Sequence, residues 1–326
     1  MKQPHNILKY NIYDVLYNKT EKYYVLIASQ NIKNIFDDIF LIIDNIKYKF
    51  YVKICNHGHT LIYICNNNLF QDCITLHIND DIILTKVNIY DEFPNEIIMS
   101  TLVLDENDYI IQWIKYNFYL GITKFIIYNN SHKDDIMNLL NEFIDNKEFP
   151  LSIILIKWEY EYNKNAQPTH QNHTLYAYKS SKYIGFFDID EYINPQIKNI
   201  NLYSLFESIL LSNNLNYNNI GSIRILCKIF VNSNKQSEKN YDFLKIYNCH
   251  NICYNCREKN FIIPKNVEIF CIHVIVEGKQ MINISENLIF FNHYMFLNKT
   301  DRYRDYIPEL YDDSIKTIVN KYISSI

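Results

Sequence analysis

The sequence predicts an α/β domain with a mostly parallel sheet, preceded by a small all-β domain. Residues 7–90 contain short runs in which apolar and polar residues alternate, a pattern of period two that is typical of antiparallel strands. Further along, apolar runs alternate with amphipathic segments of helical periodicity, which is typical of a parallel sheet with crossover helices. The charged stretch around Pro94 separates the two patterns. We therefore expect a β-sandwich-like domain at 1–92 and an α/β domain at 93–326.

In the first region, the alternating runs predict the strands of a small antiparallel sandwich or barrel. Asn, Asp and His-Gly positions, which favour turns, interrupt these runs. The runs are YYVLIAS (23–29), IFLIID (39–44), IKYKFYVKI (46–54), TLIYIC (60–65), CITLHI (73–78) and DIILTKVNIY (81–90).

The second region begins with a strand, a helix, a strand, a helix and a strand in close succession. The first helix has its apolar residues on one face and ends near Gly121, since glycine is favoured just after the last turn of a helix. A fourth apolar run leads into acidic residues. The elements are the strand EIIMSTLVL (96–104), the helix DYIIQWIKYNFYLG (108–121), the strand KFIIYNN (124–130), the helix KDDIMNLLNEFIDN (133–146), the strand LSIILIKW (151–158) and the strand KYIGFFDIDEYINP (182–195).

The composition of the 326 residues argues against several classes of function. The formal net charge of −4 argues against a protein that neutralises the phosphates of DNA or RNA, so we expect no nucleic-acid partner. No apolar run approaches the roughly 18 residues of a membrane-spanning helix, and the first residues lack the apolar segment of a signal peptide. We therefore expect a cytoplasmic protein. The excess of Asn, Ile, Lys and Tyr, with 29 Tyr, indicates an AT-rich genome such as that of a large DNA virus.

Polar side chains follow the apolar strands of the second region. Asp105 follows the first strand, Asn129 and Ser131 end the second, and Asp188 and Asp190 end the fourth. Because parallel sheets bind ligands at the carboxyl ends of their strands, we expect these residues to surround one site. With period two, the two aspartates of the fourth strand point to the same side. Two carboxylates placed in this way are suited to a divalent cation with open positions for phosphate oxygens.

The segment that contains this acidic pair resembles the signature of glycosyltransferase family 92 and of related family-2-like glycosyltransferases with the GT-A fold. FFDIDEYI (186–193) is similar to the family's acidic motif, and Gln171 or Gln167 matches the glutamine expected upstream of it. Other segments are similar to family motifs and follow the family's order over roughly 95–305. They are STLVLDENDYIIQWIKYNFYLGITKFIIYNNS, NFIIPKNVEIFCIH and FFNHYMFLNKTDRYRDY.

The resemblance implies a GT-A fold and the metal-dependent transfer of a sugar from a nucleoside diphosphate, UDP above all, to a glycan or glycoprotein. The implied sugar is a hexose or an N-acetylhexosamine, transferred with inversion. The implied metal is Mn²⁺ or Mg²⁺, since a bound cation stabilises the charge that develops on a leaving diphosphate. The implied metal ligands are Asp188, Asp190 and His293, and the implied nucleotide contacts are Asp105, Asn129, Asn130, Ser131, Gln171 and Asp188.

The general base that inversion requires is not identified by the sequence. Glu191 lies next to the expected metal ligands, and no motif supports the other acids. The candidates are Glu191, Glu238, Asp242 and Glu268. His273 lies within the apolar run FCIHVIV, so we expect it to be a core residue.

The sequence departs from the family pattern at the expected nucleotide contacts. The family's Lys-Asn-Glu is Asp105-Glu106-Asn107 here, and its Tyr-Asp is Tyr128-Asn129. These changes leave open a catalytically weakened module that binds a glycan or a nucleotide on the same fold. A further alternative is a zinc-stabilised interaction protein, because Cys249, Cys253 and Cys256 lie in the segment CHNICYNC, which holds Cys-x-x-Cys spacing.

Overall fold

A computed structural model describes most of the chain. The described residues are 2–29, 38–55, 60–90, 92–105, 107–131, 135–145, 149–158, 166–197, 201–231, 243–253, 257–295 and 310–323. Within these ranges, no helix combines the length and the apolar character needed to cross a lipid bilayer.

The amino-terminal region consists of antiparallel strands, as the alternating pattern predicts. The strands are β1 (Ile12–Asn18), β2 (Tyr23–Ser29), β3 (Ile39–Ile43), β4 (Ile46–Lys49), β5 (Tyr51–Cys55), β6 (Thr60–Asn66), β7 (Cys73–Ile78) and β8 (Asp81–Lys86). In the described part of the chain they form two four-stranded sheets, in the orders β1-β2-β6-β5 and β4-β3-β7-β8.

A first core lies between these two sheets. Alternate residues of β3 and β7 are buried, as expected for strands with one face toward a core and the other toward solvent. Side chains from both sheets, among them Leu26 and Leu76, belong to one buried cluster. The amino-terminal region is therefore a small two-sheet sandwich.

The sheet β1-β2-β6-β5 is buried on its other face as well. Nearly every residue of β2 and β6 is buried. Val25, Ile27 and Ile62 share a second buried cluster with α/β-region residues such as Tyr128 and Tyr176. This shared core joins the sandwich to the rest of the chain, and the division into two domains at residue 92 remains a prediction.

The α/β region begins at β9. Its helices are α1 (Asn107–Tyr119), α2 (Asp135–Asp145), α3 (Ala166–Ala177), α4 (Leu202–Ser212) and α5 (Lys316–Ile323). Its strands are β9 (Ile97–Val103), β10 (Lys124–Asn129), β11 (Ser152–Lys157), β12 (Tyr183–Phe186), β13 (Glu191–Pro195), β14 (Ile220–Val231), β15 (Asn248–Cys253), β16 (Lys259–Ile262), β17 (Val267–Cys271), β18 (Val274–Gly278), β19 (Gln280–Asn283), β20 (Ile289–Met295) and β21 (Leu310–Tyr311).

The large sheet of this region is mixed. The strands β11, β10, β9 and β12 are parallel neighbours, as the alternation of strands and helices predicts. Beyond β12, the strands β16 and β14 continue the sheet in antiparallel pairs. The expectation of a mostly parallel sheet therefore holds only for the first half. The described residues between β14 and β16 contain no α-helix, and strands that follow one another without such a crossover favour antiparallel pairing. Strand β14 pairs in parallel only with the later strands β19 and β20.

Helix α3 is buried although its sequence, AQPTHQNHTLYA, is polar. Its polar side chains make specific hydrogen bonds to the elements around it. Asn172 donates through Nδ2 to the Phe270 carbonyl at 2.7 Å, and Oγ1 of Thr174 lies 2.9 Å from the Tyr128 hydroxyl. Because much of the buried surface of this helix is polar, hydrophobic periodicity does not predict it from the sequence.

Candidate active site

Four of the expected nucleotide contacts form a polar ledge at the carboxyl ends of β9 and β10. The Asp105 amide donates to Oγ of Ser131 at 2.8 Å, and the Ser131 amide donates to Oδ1 of Asn129 at 3.0 Å. Asn130 donates through Nδ2 to the Trp158 carbonyl at 2.7 Å. The parallel topology brings Asp105, Asn129, Asn130 and Ser131 together, as the sequence predicts, and the Asp105 side chain is exposed.

The acidic motif forms a tight turn and is not the end of one long strand. Strand β12 ends at Phe186 and β13 begins at Glu191, so Asp188 and Asp190 lie between two strands. The Glu191 amide donates to the Asp188 carbonyl at 3.0 Å, and the Asp188 amide donates to Oε2 of Glu191 at 2.9 Å. The prediction of one strand over 182–195 was wrong at this point, so alternation along a strand does not set the directions of the two aspartates.

A buried lysine that the sequence analysis did not identify lies behind this acidic turn. The ammonium of Lys259 lies 2.8 Å from Oδ2 of Asp188 and 2.9 Å from Oε2 of Glu191, and its side chain is only 3% exposed. Strand β16 carries Lys259 to this position because it pairs directly with β12. The two strands pack closely at Gly185, where a Cβ atom would lie 2.5 Å from the Phe261 ring.

The lysine fixes the charges of the turn. Burial lowers the pKa of Lys259, but Asp188 and Glu191 outweigh burial and hold this pKa above its usual value. Burial likewise raises the pKa of Asp188, and Lys259 outweighs it, so the Asp188 carboxyl stays ionised. For Glu191 burial prevails over Lys259 and raises the pKa to about 7. The Lys259 cation therefore faces the ionised carboxylate of Asp188 and the carboxyl group of Glu191, whose charge changes near neutral pH.

Three side chains at the turn form a group that could hold a metal ion. Ligand atoms of Asp190, Glu191 and His293 all lie within 4.8 Å of one another. His293 is brought there because β13 pairs with β20 and sets it opposite Glu191. Its Nε2 atom lies 3.6 Å from Oδ2 of Asp190. Of the three predicted metal ligands, Asp190 and His293 belong to this group, whereas Asp188 faces Lys259 with one of its oxygens.

The donor set of this group suits a divalent first-row ion, since it combines carboxylate oxygens with one imidazole nitrogen. Burial lowers the pKa of His293, but Asp190 outweighs burial and holds it well above the usual value. The imidazole must therefore lose a proton before it can ligate a metal, so metal binding here releases protons. The residues fit Mn²⁺ or Mg²⁺ on these grounds.

The two candidate glutamines have different partners. Gln167 donates through Nε2 to Oδ1 of Asp188 at 3.2 Å. Gln171 accepts through Oε1 from the Ile272 amide at 2.8 Å. Gln167 is thus the glutamine that contacts the acidic turn, and Gln171 anchors the loop between β17 and β18.

Of the two candidate bases among the described residues, Glu191 and Glu268, only Glu191 lies at the site. Glu191 is there, but it is 2% exposed and its Oε2 atom is already bonded twice, so it cannot reach an acceptor hydroxyl. Glu268 pairs with Lys179 at 3.5 Å. Lys179 precedes β12, whereas the acidic turn follows this strand, so Glu268 lies toward the opposite edge of the sheet. Glu238 and Asp242 fall outside the described residues.

His273 differs from its expected setting, and the cysteine segment at 249–256 is described only in part. His273, expected in the core, lies partly exposed in the turn between β17 and β18. Cys249 is a buried free thiol, while Cys256 and the side chain of Cys253 are outside the described part of the chain. Zinc binding at this cysteine segment therefore stays a prediction.

The family of the chain follows from comparison with known proteins. Residues 97–324 match the model of glycosyltransferase family 92. The chain belongs to glycosyltransferase family 92.

Curated relatives carry the same family name. A glycosyltransferase family 92 protein of Ricinus communis is 23% identical over 210 residues, which are 63% of this chain and 36% of that protein. One from Oryza sativa subsp. japonica is 23% identical over 207 residues, which are 61% of this chain and 33% of that protein. The chain thus spans about a third of the length of these two relatives.

Among solved structures, S. aureus TarS 1-349 in complex with UDP-GlcNAc is similar, with a TM-score of 0.37 and 9% identity over 71% of this chain and 72% of that chain.

Proposed function

We propose that this protein is a metal-dependent glycosyltransferase of the GT-A type. In this proposal it moves a hexose or an N-acetylhexosamine from a UDP-sugar to a glycan or glycoprotein acceptor, with inversion. One observation carries the proposal: the donor atoms of Asp190, Glu191 and His293 lie within 4.8 Å of one another. They lie beyond the carboxyl end of β12, a parallel neighbour of β9, which ends at the ledge around Asp105. Membership of glycosyltransferase family 92 supports it.

The ledge at β9 and β10 is the proposed site for the nucleoside. The exposed carboxylate of Asp105 can accept hydrogen bonds from ribose hydroxyls or from a base N–H. Asn129 takes the place of an aspartate in the family pattern, and an amide offers both a donor and an acceptor. The bonds among Asp105, Ser131 and Asn129 fix the ledge before the ligand arrives.

Asp190, Glu191 and His293 are the residues that would hold Mn²⁺ or Mg²⁺. Such an ion, when bound, neutralises the charge that develops on the leaving diphosphate. Gln167 and Lys259 bond different oxygens of Asp188 and hold its carboxylate in one orientation. With a side chain that is 41% exposed, Asp188 can still contact the ribose or a metal-bound group from this fixed position.

A turnover assay tests the proposal. The purified chain is incubated with a panel of UDP-sugars and Mn²⁺, and released UDP is measured with and without EDTA. We expect slow release from at least one donor, abolished by EDTA and by Asp190→Asn. Asp80→Asn, an exposed acid in the sandwich, is the matched control and should change nothing. Metal-dependent binding of UDP without any release would instead favour the binding module, and neither binding nor release would contradict both.

A further inference from the structure

The turn between β17 and β18 is a two-residue hairpin loop with an unusual backbone. Cys271 pairs with Val274, so the loop consists of Ile272 and His273 alone. Ile272 has φ of 47°, in the left-handed region that such loops usually fill with Gly, Asn or Asp. A β-branched residue there is strained, and strain of this kind persists only where the surroundings enforce it.

Two buried amides from different elements enforce this conformation. Gln171 on α3 accepts from the Ile272 amide at 2.8 Å. Asn260 on β16 donates through Nδ2 to the His273 carbonyl at 2.8 Å. Both amide side chains are almost fully buried, so the tip of the hairpin is held from two sides.

The imidazole of His273 is fixed in one tautomer. Its Nδ1 atom lies 2.5 Å from the Glu258 carbonyl oxygen. A carbonyl oxygen can only accept, so Nδ1 carries the hydrogen and Nε2 keeps its lone pair. Burial, followed by the charge of Lys259, lowers the pKa of His273, which keeps the ring neutral at pH 7. No residue in the described ranges forms a hydrogen bond to Nε2.

The elements that hold His273 also hold Asp188. On α3, Gln167 contacts Asp188 and Gln171 contacts the hairpin tip, and residues four apart in a helix lie on one face with about 5–6 Å between their Cβ atoms. On β16, Lys259 contacts Asp188 and its neighbour Asn260 contacts His273. The imidazole is therefore anchored to the same two elements that hold the acidic turn, and its free nitrogen is on a rigid support.

We propose that His273 is the general base of the transfer. Its Nε2 atom takes the proton of the acceptor hydroxyl as the hydroxyl oxygen forms its bond to the anomeric carbon. The bond from that carbon to the diphosphate breaks at the same time, and the nucleoside diphosphate leaves with the electron pair. This assignment rests on the proposed function and supplies the base that the carboxylates of the site do not provide.

The experiment compares His273→Gln and His273→Ala with wild-type protein on the donor and acceptor that wild type uses. We expect transfer to fall at least about 100-fold in both variants, with unchanged melting temperature and unchanged affinity for UDP and Mn²⁺. Free imidazole should restore part of the transfer in His273→Ala and should do nothing for wild type. The matched control is His5→Gln, in the amino-terminal segment, which should transfer like wild type.

Transfer by His273→Gln within tenfold of wild type would overturn the assignment. So would a loss in His273→Ala that free imidazole does not restore, since that result indicates a structural role. A wild-type chain that neither binds nor turns over a nucleotide sugar would overturn the proposed function itself, and the role of His273 with it.

Discussion

Two clusters of carboxylate and imidazole groups contact α3, and they differ in how exposed their carboxylates are. At the sandwich, Asp14 accepts from the Tyr90 hydroxyl and from Nε2 of His173, and the side chains of Asp14 and His173 are fully buried. The second cluster, which we call the open cluster, lies at the acidic turn and consists of Asp188, Asp190, Glu191 and His293. Its Asp188 side chain is 41% exposed although Lys259 bonds it from behind. The first cluster (Asp14, Tyr90 and His173) leaves no oxygen for a ligand, because Oδ1 of Asp14 also accepts bonds. We call it the closed cluster.

This difference in exposure indicates that side chains of the same types have a structural role in one cluster and a functional role in the other. A buried network that is fully bonded can only fix the packing of the elements around it. A carboxylate that is held on one side and open on the other is ready to bind a cation or a hydroxyl group. Position along the sequence does not distinguish the two clusters, whereas the exposure of their carboxylates does.

The largest expected effect follows from deleting the amino-terminal sandwich, which carries Asp14 and Tyr90 of the closed cluster. A chain that begins at Phe93 lacks Asp14 and exposes the apolar surface that Tyr128 and Tyr176 share with β2 and β6. We expect it to be insoluble, or to show no cooperative thermal transition by circular dichroism. Co-expression of residues 1–92 as a separate chain should restore solubility. A soluble fragment with a sharp transition would show that the α/β region is independent of the sandwich.

The next effect comes from opening the closed cluster at one residue. Asp14→Ala leaves His173 and Tyr90 buried without their partner, which should lower the free energy of unfolding by about 3–5 kcal/mol. Urea denaturation monitored by tryptophan fluorescence measures the change. Asp80→Ala, an exposed acid of the same sandwich, should change it by less than about 0.5 kcal/mol. Equal stability of the two variants would remove the structural half of the comparison.

The open cluster should respond mainly in activity. Lys259→Met removes the cation that orients Asp188 and Glu191, and we expect transfer to fall about 100-fold through misplacement of the acidic turn. Affinity for UDP with Mn²⁺ should weaken in parallel, as titration calorimetry can show. Lys265→Met, an exposed lysine of the same region, is the matched control. A Lys259→Met enzyme with normal transfer would mean that the lysine only fills space.

The smallest effect concerns His170, which lies on α3 between the clusters. Burial is the main cause that lowers the pKa of His170, from its usual value of 6.5 to about 3. Below pH 6.5 the His170 imidazole is protonated in the unfolded chain but stays neutral in the folded chain. The free energy of unfolding therefore decreases as the pH falls from 6.5 toward 3. The slope is at most about 1.4 kcal/mol per pH unit. In His170→Gln the difference in unfolding free energy between pH 5 and pH 7 should be smaller than in wild type. An unchanged difference would mean that His170 is protonated in the folded protein.

The sequence predicts the features of the site that arise from short-range order. The parallel strands β9 and β10 and their helices follow from periodicity, so the gathering of Asp105, Asn129 and Ser131 is predictable. The acidic motif is identified by its resemblance to family 92. Its geometry is not predictable from strand alternation, because Glu191 closes it into a turn.

The remaining features depend on long-range pairing. Lys259 reaches Asp188 only because β16 joins the sheet beside β12, 71 residues further along the chain. Its position before the apolar run NFII gives a weak signal, since a lysine at a strand end usually faces solvent. Hydrophobic periodicity does not predict helix α3 because much of its buried surface is polar. The sequence wrongly predicts His273 to be a core residue because its hairpin loop contains no Gly or Asn.

The binding of Mn²⁺ to the open cluster tests the central claim most directly. Electron paramagnetic resonance detects free Mn²⁺, and its signal falls when the ion is bound, so a titration in the presence of UDP counts sites without requiring turnover. We predict one site per wild-type chain, lost in Asp190→Asn and in His293→Gln and retained in Asp80→Asn and in His273→Gln. Binding that persists unchanged in both Asp190→Asn and His293→Gln, or a wild-type chain that leaves all Mn²⁺ free, would contradict the account.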